Sequence, residues 1–424
     1  MKSKIRPSEE TSKKIKEIVS EDGENIMKEF LLRGMEKVIQ EILEQETVDF
    51  LDRNWYERKT GRTSEQFRGY RNGYSNKRIK TSEGKLQIRK PRIRYNREEY
   101  ESKFLKRLIK LEEKVNKLAL EMYVRGLSTR DIESSLTDVD GKAIISRNGV
   151  SKLSKVLYKE YESFRNRDLS EYDVVYLFVD GVYESIRQYS NGQTILCAWA
   201  ILSDSRKVMI DIAAVASESE VAWSGFFEEM LSRGLRQPLM VVSDGAKGLT
   251  KAIGSSFPLS DRQRCIVHKM RNVLSKVNKQ YQEEIKTAIH TIYYAPTRES
   301  ADILAKEFIE KYTNKQPSAV KCFIDDLESC LVHLKYPPCH YKYIRTTNLI
   351  ERAFQEEKRR TKVFPQHQHE KSCLGLVFAV LKRASESWYN VQMSDIEITA
   401  LKGIRNLMYS KFKDNDKISF EFAA

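Results

Sequence analysis

The sequence predicts a multidomain α+β protein: a mixed β-sheet flanked by helices, interrupted by an all-helical insertion and preceded by a helical, basic N-terminal region. Three observations carry this. Apolar, β-rich runs crowd residues 173–268, helical periodicity dominates on both sides of them, and positive charge collects ahead of them. At 424 residues the chain has room for two or three domains with cores of their own. Its 40% hydrophobic and 32% charged residues fit a soluble globular protein.

Taken in order, "ENIMKEFLLRGMEKVIQEILEQETVDFL" (24–51) has helical periodicity, with Phe30, Leu31, Met35, Val38, Ile39 and Ile42 along one stripe. That stripe must pack on this chain or on a second copy. Between Arg68 and Arg94 stand ten basic residues and one acid, Glu83, interleaved with Tyr70 and Tyr74. Asn-Gly and Glu-Gly turn signals separate short β-like pieces there. A solvated face normally mixes signs and this one does not, so it predicts phosphate contacts and nucleic acid as the partner, as does the net charge of +14. The helical pattern returns at Val115. It breaks at "GLS", resumes from Thr129 with Ser128 as cap, loops around Asp140-Gly141, and resumes after Ser146. Helix, turn, helix, with 147–158 as recognition helix, outlines a helix-turn-helix reader.

The centre changes character. Residues 173–187, 194–204 and 206–217 read as three strands, 219–234 as a helix, and "PLMVVSDG" (238–245) as a further strand. A short helix and a strand over "RQRCIVH" (262–268) follow; residues 277–344 are mostly helical and 347–362 form one more helix. Six cysteines (Cys197, Cys265, Cys322, Cys330, Cys339, Cys373) lack a C-x-x-C pair, which fits reduced thiols in a cytoplasm. The start, "MKSKIRPSEETSKK", has no apolar signal core, and no apolar run approaches the roughly 20 residues that span a bilayer.

Two strands end alike. "LFVDG" places Asp180 before Gly181, and "VVSDG" places Asp244 before Gly245. One Asp-Gly after a strand is a turn; two at the carboxyl ends of apolar runs point to a site, because ligands of open α/β sheets bind at that edge. Paired carboxylates share a proton or hold a cation, and their hard oxygens suit magnesium or manganese. Glu218, Glu220, Glu228 and Glu229, in or beside a solvated helix, are weaker candidates, as is Asp211, which lies mid-strand without a turn after it. A third carboxylate should come from a packed helix. Within "IRTTNLIERAFQEEKRRTKV" (344–363), Glu356 can pair with Arg359 or Arg360, and Glu357 with Arg360. Glu351 has no cation at those spacings. Asn348 three residues earlier resembles a capping box, so cap and site roles are equally open for Glu351.

"FVDGVY", "VVSDGAKG", "QRCIVHKMRNV" and "IRTTNLIERAFQEEKRRTKVFP" occur in this order at long separations. With "YRNGYSNKRIKTSEGKLQIRKPRIR" and "MYVRGLSTRDI" upstream, they resemble the bacterial insertion-sequence transposases of the Mutator type, over roughly Val38 to Trp388. The resemblance implies an RNase H-like catalytic core with an Asp-Asp-Glu triad at Asp180, Asp244 and Glu351, and a helical insertion before the glutamate. It also singles out Cys265 and His268, a C-x-x-H element, as support for the site; His333, Cys339 and His340 could complete a zinc site only in principle. Lys269, Arg271, Asn272 and Asn348 are expected beside the same edge. The path after Val363, at Phe364-Pro365, is shorter than in many relatives, and the insertion lacks the tryptophan that relatives often carry.

The resulting division is 1–65, a helical region that could serve oligomerisation; 66–170, basic and helix-turn-helix DNA-binding; 171–276, the first part of the core; 277–344, the insertion; 345–385, the second part with the Glu351 helix; and 386–424, C-terminal helical. Expected DNA contacts are Arg68, Arg71, Lys77, Arg78, Lys80, Arg89, Lys90, Arg92 and Arg94 in the basic cluster. Arg130, Arg147 and Lys152 follow on the helices, and Arg345, Arg359 and Arg360 near Glu351. The implied function is a transposase of the bacterial cytoplasm and nucleoid, acting as a homodimer or higher oligomer on double-stranded DNA at inverted repeats and targets. Each active site takes two Mg2+ ions, with Mn2+ as substitute. The alternative is a catalytically inactive, transposase-derived DNA-binding regulator; an RNase H-like nuclease that cuts without joining is a third reading.

Overall fold

The structure is a computed structural model that describes residues 6–19, 26–55, 57, 68–81, 84–95, 100–138, 141–186, 193–363, 367, 369–386 and 388–421. Glu83, Asp140 and Phe364-Pro365, named above, lie outside the described residues. The chain forms two compact units, Met1–Ser154 and Lys155–Ala424.

The first unit contains helices α1 (Pro7–Val19) and α2 (Ile26–Leu51), the antiparallel hairpin β1 (Tyr70–Thr81) and β2 (Gly84–Arg94), then α3 (Lys103–Val124), α4 (Thr129–Ser135) and the start of α5 (Arg147–Arg165). Leu32, Ile39 and Leu43 of α2 bury against Ile79, Leu86 and Ile88 of the hairpin and Leu105 and Leu108 of α3. α2 also satisfies the outer backbone of β2. Gln87 N–H donates to Glu36 Oε1 at 2.7 Å, and the Gln40 amide brackets Arg89 with bonds of 3.0 and 3.1 Å. Pairing a strand edge with side chains removes a surface on which another strand could add. The buried line of α2 therefore differs in phase from the predicted stripe. Ile39 is inside, but Phe30, Leu31 and Val38 are exposed, because the inner face carries Glu36, Gln40 and Glu44 for hydrogen bonding. α3 begins at Lys103, ahead of the predicted Val115, with Ser102 as cap. Ser128 caps α4 in a full capping box with Asp131. The segment from α4 to α5, residues 136–146, is longer than a tight turn and closes on itself through a Thr137–Ala143 bridge.

The second unit is built on a five-stranded mixed sheet. Strands β3 (Val174–Glu184), β4 (Gln193–Leu202) and β5 (Lys207–Val215) form an antiparallel meander. After α6 (Glu220–Ser232), β6 (Met240–Ser243) pairs parallel with β3; after α7 (Lys247–Ser256), β7 (Asp261–Arg264) pairs parallel with β6. The order is β5-β4-β3-β6-β7. Helices α8 (Ile266–Leu274), α9 (Gln282–Tyr293), α10 (Arg298–Tyr312), α11 (Pro317–Ile324) and α12 (Leu327–Cys330) share a core of their own. The chain then returns through α13 (Tyr341–Ile344), α14 (Asn348–Thr361), α15 (Glu370–Glu386) and α16 (Asp395–Glu421).

Alternation along the strands sorts side chains between two faces. Leu177 and Val179 of β3 and Val241 of β6 pack with Trp223, Phe227 and Leu249 of α6 and α7. Tyr176 and Phe178 of β3 and Met240 and Val242 of β6 pack with Ile350 and Phe354 of α14 and Phe378 of α15. Strand β7 stops at Arg264, so "CIVH" is not strand as predicted: Cys265 caps α8 and His268 sits in its first turn. Among the described residues no helix is long and apolar enough to cross a membrane. All six cysteines are free, and only Cys339 is exposed.

Asp211, read from sequence as merely mid-strand, is fully buried and ion-paired to Arg233. Burial pushes its pKa up to about 6 against the pull of Arg233. Breaking a buried pair strands the surviving charge. Arg233→Met should therefore destabilise the protein by about 3–5 kcal/mol in urea unfolding; a loss below about 1 kcal/mol, the scale of an exposed pair, would show that Asp211 does not depend on this guanidinium.

Candidate active site

Register fixes two acids. Phe178 of β3 pairs with Val242 of β6, and Asp180 and Asp244 stand two residues further on each strand. By alternation both continue the rows Tyr176–Phe178 and Met240–Val242, the face covered by α14. Each carboxylate is steadied by backbone: Asp180 Oδ1 accepts from Gly181 N–H at 2.8 Å and Asp244 Oδ1 from Ala246 N–H at 2.9 Å. The turn after Asp244 needs glycine. Gly245 has φ +83°, and a Cβ there would lie 2.7 Å from the Arg264 guanidinium carbon. Burial pushes Asp180 up to about 7, with Asp244 and Glu218 adding repulsion while the Gly181 N–H and His268 oppose.

Glu351 arrives on the first turn of α14. Its neighbours come from that helix start and from α8. Thr347 Oγ1 donates to Glu351 Oε1 at 3.2 Å and lies 3.5 Å from His268 Nδ1, which is 3.8 Å from the same Glu351 oxygen. Thr347 N–H and Oγ1 both reach Cys265 Sγ at 3.4 Å. The ligating atoms of Cys265, His268 and Glu351 lie within 4.8 Å of one another. The Cys265 contact raises the His268 pKa, opposed by burial and helped by Glu351 and Asp180. For Cys265, burial acts upward, but bonds with His268 and Thr347 together bring the thiol below its usual range. The C-x-x-H element therefore meets Glu351. His333, Cys339 and His340 are engaged elsewhere, with Cys330 O, Glu397 and Tyr176 respectively.

Several expectations change. Asn348 does not cap Glu351: α14 starts at Asn348, which is exposed, and Thr347 occupies the cap position and holds the glutamate. Glu356 takes both Arg359 and Arg360, whereas Glu357, expected to pair with Arg360, is fully buried. Glu218 stands beside helix α6. It precedes Ser219, the cap of α6, accepts from Trp223 Nε1 at 3.1 Å, and has an oxygen 3.6 Å from where a Cβ on Gly181 would stand. Burial and Asp244 raise its pKa. The signal for it was available, since Ser-x-x-Ala ahead of an apolar run puts the helix start at Ser219. Lys269 is buried against Asp326, which also binds Arg264 at 2.6 Å, while Arg271 and Asn272 are exposed.

Of the predicted phosphate contacts, Arg68, Arg78, Arg92, Arg94, Arg130 and Lys152 are exposed, and Lys77 and Lys90 are half-buried. Arg71 donates to the carbonyls of Arg53 and Asn54, Lys80 lies 3.7 Å from Glu112, Arg89 pairs with Glu10, and Arg147 pairs with Glu133. Arg345 lies over the Tyr294 ring at 3.6 Å.

The family profile described as "Transposase, Mutator family" matches residues 8–391. Among curated proteins, the chain is 30% identical over 353 residues to the transposase for insertion sequence element ISRM5 of Rhizobium meliloti, covering 83% of this chain and 86% of that one. It is 30% identical over 357 residues to the transposase for IS256 in transposon Tn4001 of Staphylococcus aureus, covering 83% and 89%. With the transposase for IS6120 of Mycolicibacterium smegmatis it shares 32% over 268 residues, covering 63% and 83%.

His268 offers a direct check on the cluster. A raised histidine adds stability below its unfolded value, about 6.5, and loses it as pH rises through the folded midpoint. Cys265→Ala should return the His268 midpoint toward that value in an NMR titration free of divalent cations, and should flatten that slope of stability with pH. An unmoved midpoint would remove the thiol as its partner.

Proposed function

This chain belongs to the Mutator family of transposases, and on that premise we propose that it binds the terminal inverted repeats of its insertion sequence and catalyses metal-dependent strand cleavage and strand transfer. What supports the proposal is the pair of strand-end aspartates on the face of the sheet that the Glu351 helix covers, with His268 beside both Glu351 and Asp180. An antiparallel three-stranded meander followed by two parallel strands, with helices on both faces, supports reading the core as RNase H-like. The capped α4 and the following α5 support a helix-turn-helix reading, with a longer connection than the compact form.

The donor set fits a hard divalent cation. Asp180 is held near neutrality by burial and by two neighbouring acids, so a cation would relieve the repulsion and keep the carboxylates ionised. Asp180, Asp244 and Glu351 would hold two magnesium ions, with manganese as substitute, and Glu218 lies beside them. When bound, such ions make water a nucleophile at neutral pH and stabilise a leaving oxygen. Thr347 and His268 hold the Glu351 carboxylate in one orientation, and the backbone N–H groups of Gly181 and Ala246 fix the two aspartates. In cleavage, water attacks phosphorus and the bond to the 3′-oxygen breaks. In transfer, the freed 3′-hydroxyl attacks a target phosphorus and displaces the target's own 3′-oxygen. The exposed arginines of the β1–β2 hairpin supply backbone contacts to DNA. The protein acts in the bacterial cytoplasm, as a dimer or higher oligomer on the DNA.

The test uses labelled terminal-repeat DNA, a plasmid target and magnesium. Glu351→Gln should lower cleavage and strand transfer at least on the order of 10²–10³-fold, the scale for removing one transition-state-stabilising group, while DNA retention in a gel shift stays at the parent level. Glu356→Gln should cut and join normally, since its carboxylate only pairs with arginines. Full cleavage by Glu351→Gln, or an equal loss from Glu356→Gln, would overturn the assignment; cleaved ends that never join would point to a nuclease.

A further inference from the structure

A second group of ligating side chains lies on the same strand and the same helix as the site above. Glu184 ends β3, four residues past Asp180 and on the same face. Glu357 sits on the inner stripe of α14, with Ile350, Ala353, Phe354 and Thr361. His367 is held beside β3 by its N–H, which donates to Ser185 O at 2.9 Å, and Cys373 lies in the first turn of α15. The ligating atoms of Glu184, His367 and Cys373 are within 4.8 Å of one another, and His367 Nε2 stands 3.5 Å from Glu184 Oε2.

Glu357 is the independent sign that something belongs here. Its exposure is 0%, and among the described residues neither carboxylate oxygen makes a hydrogen bond of normal geometry, with Thr361 and the Glu184 carboxyl as its nearest polar neighbours. Its strongest charged neighbour is the Glu184 carboxylate; burial and that neighbour push it up to about 8. The Cys373 thiol is raised by burial and by Glu184, Glu357 and Glu370. Two carboxylates, an imidazole and a thiol gathered in a core form a poor packing solution and a good set of ligands.

We propose that Glu184, Glu357, His367 and Cys373 form a closed, structural zinc site that ties β3 to α14 and α15, separate from the Asp180 site. The mixture of sulfur, nitrogen and oxygen donors selects zinc or a neighbouring late first-row ion over magnesium. Binding displaces the proton of the thiol and any proton held between the carboxylates, leaving a thiolate and two carboxylates on the ion. The ion would fix the helix that carries Glu351 against the strand that carries Asp180. The inference does not depend on the chemistry proposed for that site.

The experiment uses the full-length protein purified without chelator. Elemental analysis should find about one zinc per chain, and cobalt exchanged for it should give tetrahedral visible bands with a thiolate charge-transfer band in the near ultraviolet. The charge-transfer band should survive in a Cys265→Ala, Cys339→Ala double variant, which removes the thiols of other His/Cys/acid groups, and disappear on adding Cys373→Ser. Should that last variant fail to fold, the parent decides: zinc, and not magnesium, should raise its Tm after chelation. A parent that takes up neither zinc nor cobalt, or a charge-transfer band that persists without Cys373, overturns the proposal.

Discussion

The parallel pairing of β3 with β6 is the constraint on which the second unit depends. A parallel pair requires a crossover, which α6 provides, and brings two carboxyl ends to the same edge. Once Phe178 is opposite Val242, Asp180 and Asp244 must lie on one face, and that face must be covered. Tyr176, Phe178, Met240 and Val242 are apolar and need a partner. Helix α14 supplies it with Ile350 and Phe354, so the first turn that carries Glu351 is brought to this face by core packing. The glutamate belongs to the helix start that the strand faces, and Thr347 and His268 fix its direction.

The protein accommodates acids in or beside its core in three ways. Asp211 is ion-paired to Arg233, so one partner neutralises the other within the fold. Asp326 takes both Arg264 and Lys269, fastening the helical segment after β7 to the strand and helix before it. Among the described residues neither Asp180 nor Glu357 has an arginine or lysine ion pair, and burial raises the pKa of both. Leaving a charge unpaired in a low-dielectric interior costs several kcal/mol, more than typical side-chain packing returns.

Much of this was legible in the sequence. Apolar runs closed by Asp-Gly marked two strands and the aspartates at their ends, because a buried strand has few alternatives once its length is short and its ends are turns. Ser128 marked the start of α4 because a helix cap is local. What was hidden depended on partners distant in sequence. The phase of α2 is set by the β2 edge, which takes Glu36 and Gln40, so a purely apolar stripe pointed the wrong way. Glu357 looked like a surface ion pair because Arg360 is three residues on, but Glu356 competes for that arginine and wins. The spacing 350, 353, 354, 357, 361 held the correct answer, outweighed there by charge. Thr347 could not be preferred to Asn348 without knowing that Cys265 and His268 would lie beside it.

The chain order of these parts also sets when they can meet. Asp180 and Asp244 leave the ribosome together with the strands that hold them, and the helices between β7 and α14 form a core of their own. Glu351 follows Asp244 by roughly a hundred residues, which at 5–20 residues per second means a delay of about 5–20 s. During that interval the sheet carries an uncovered apolar face. Covering by α14 is therefore a late step of biogenesis, and an incomplete chain released before it would retain the two aspartates without the helix that covers their face of the sheet.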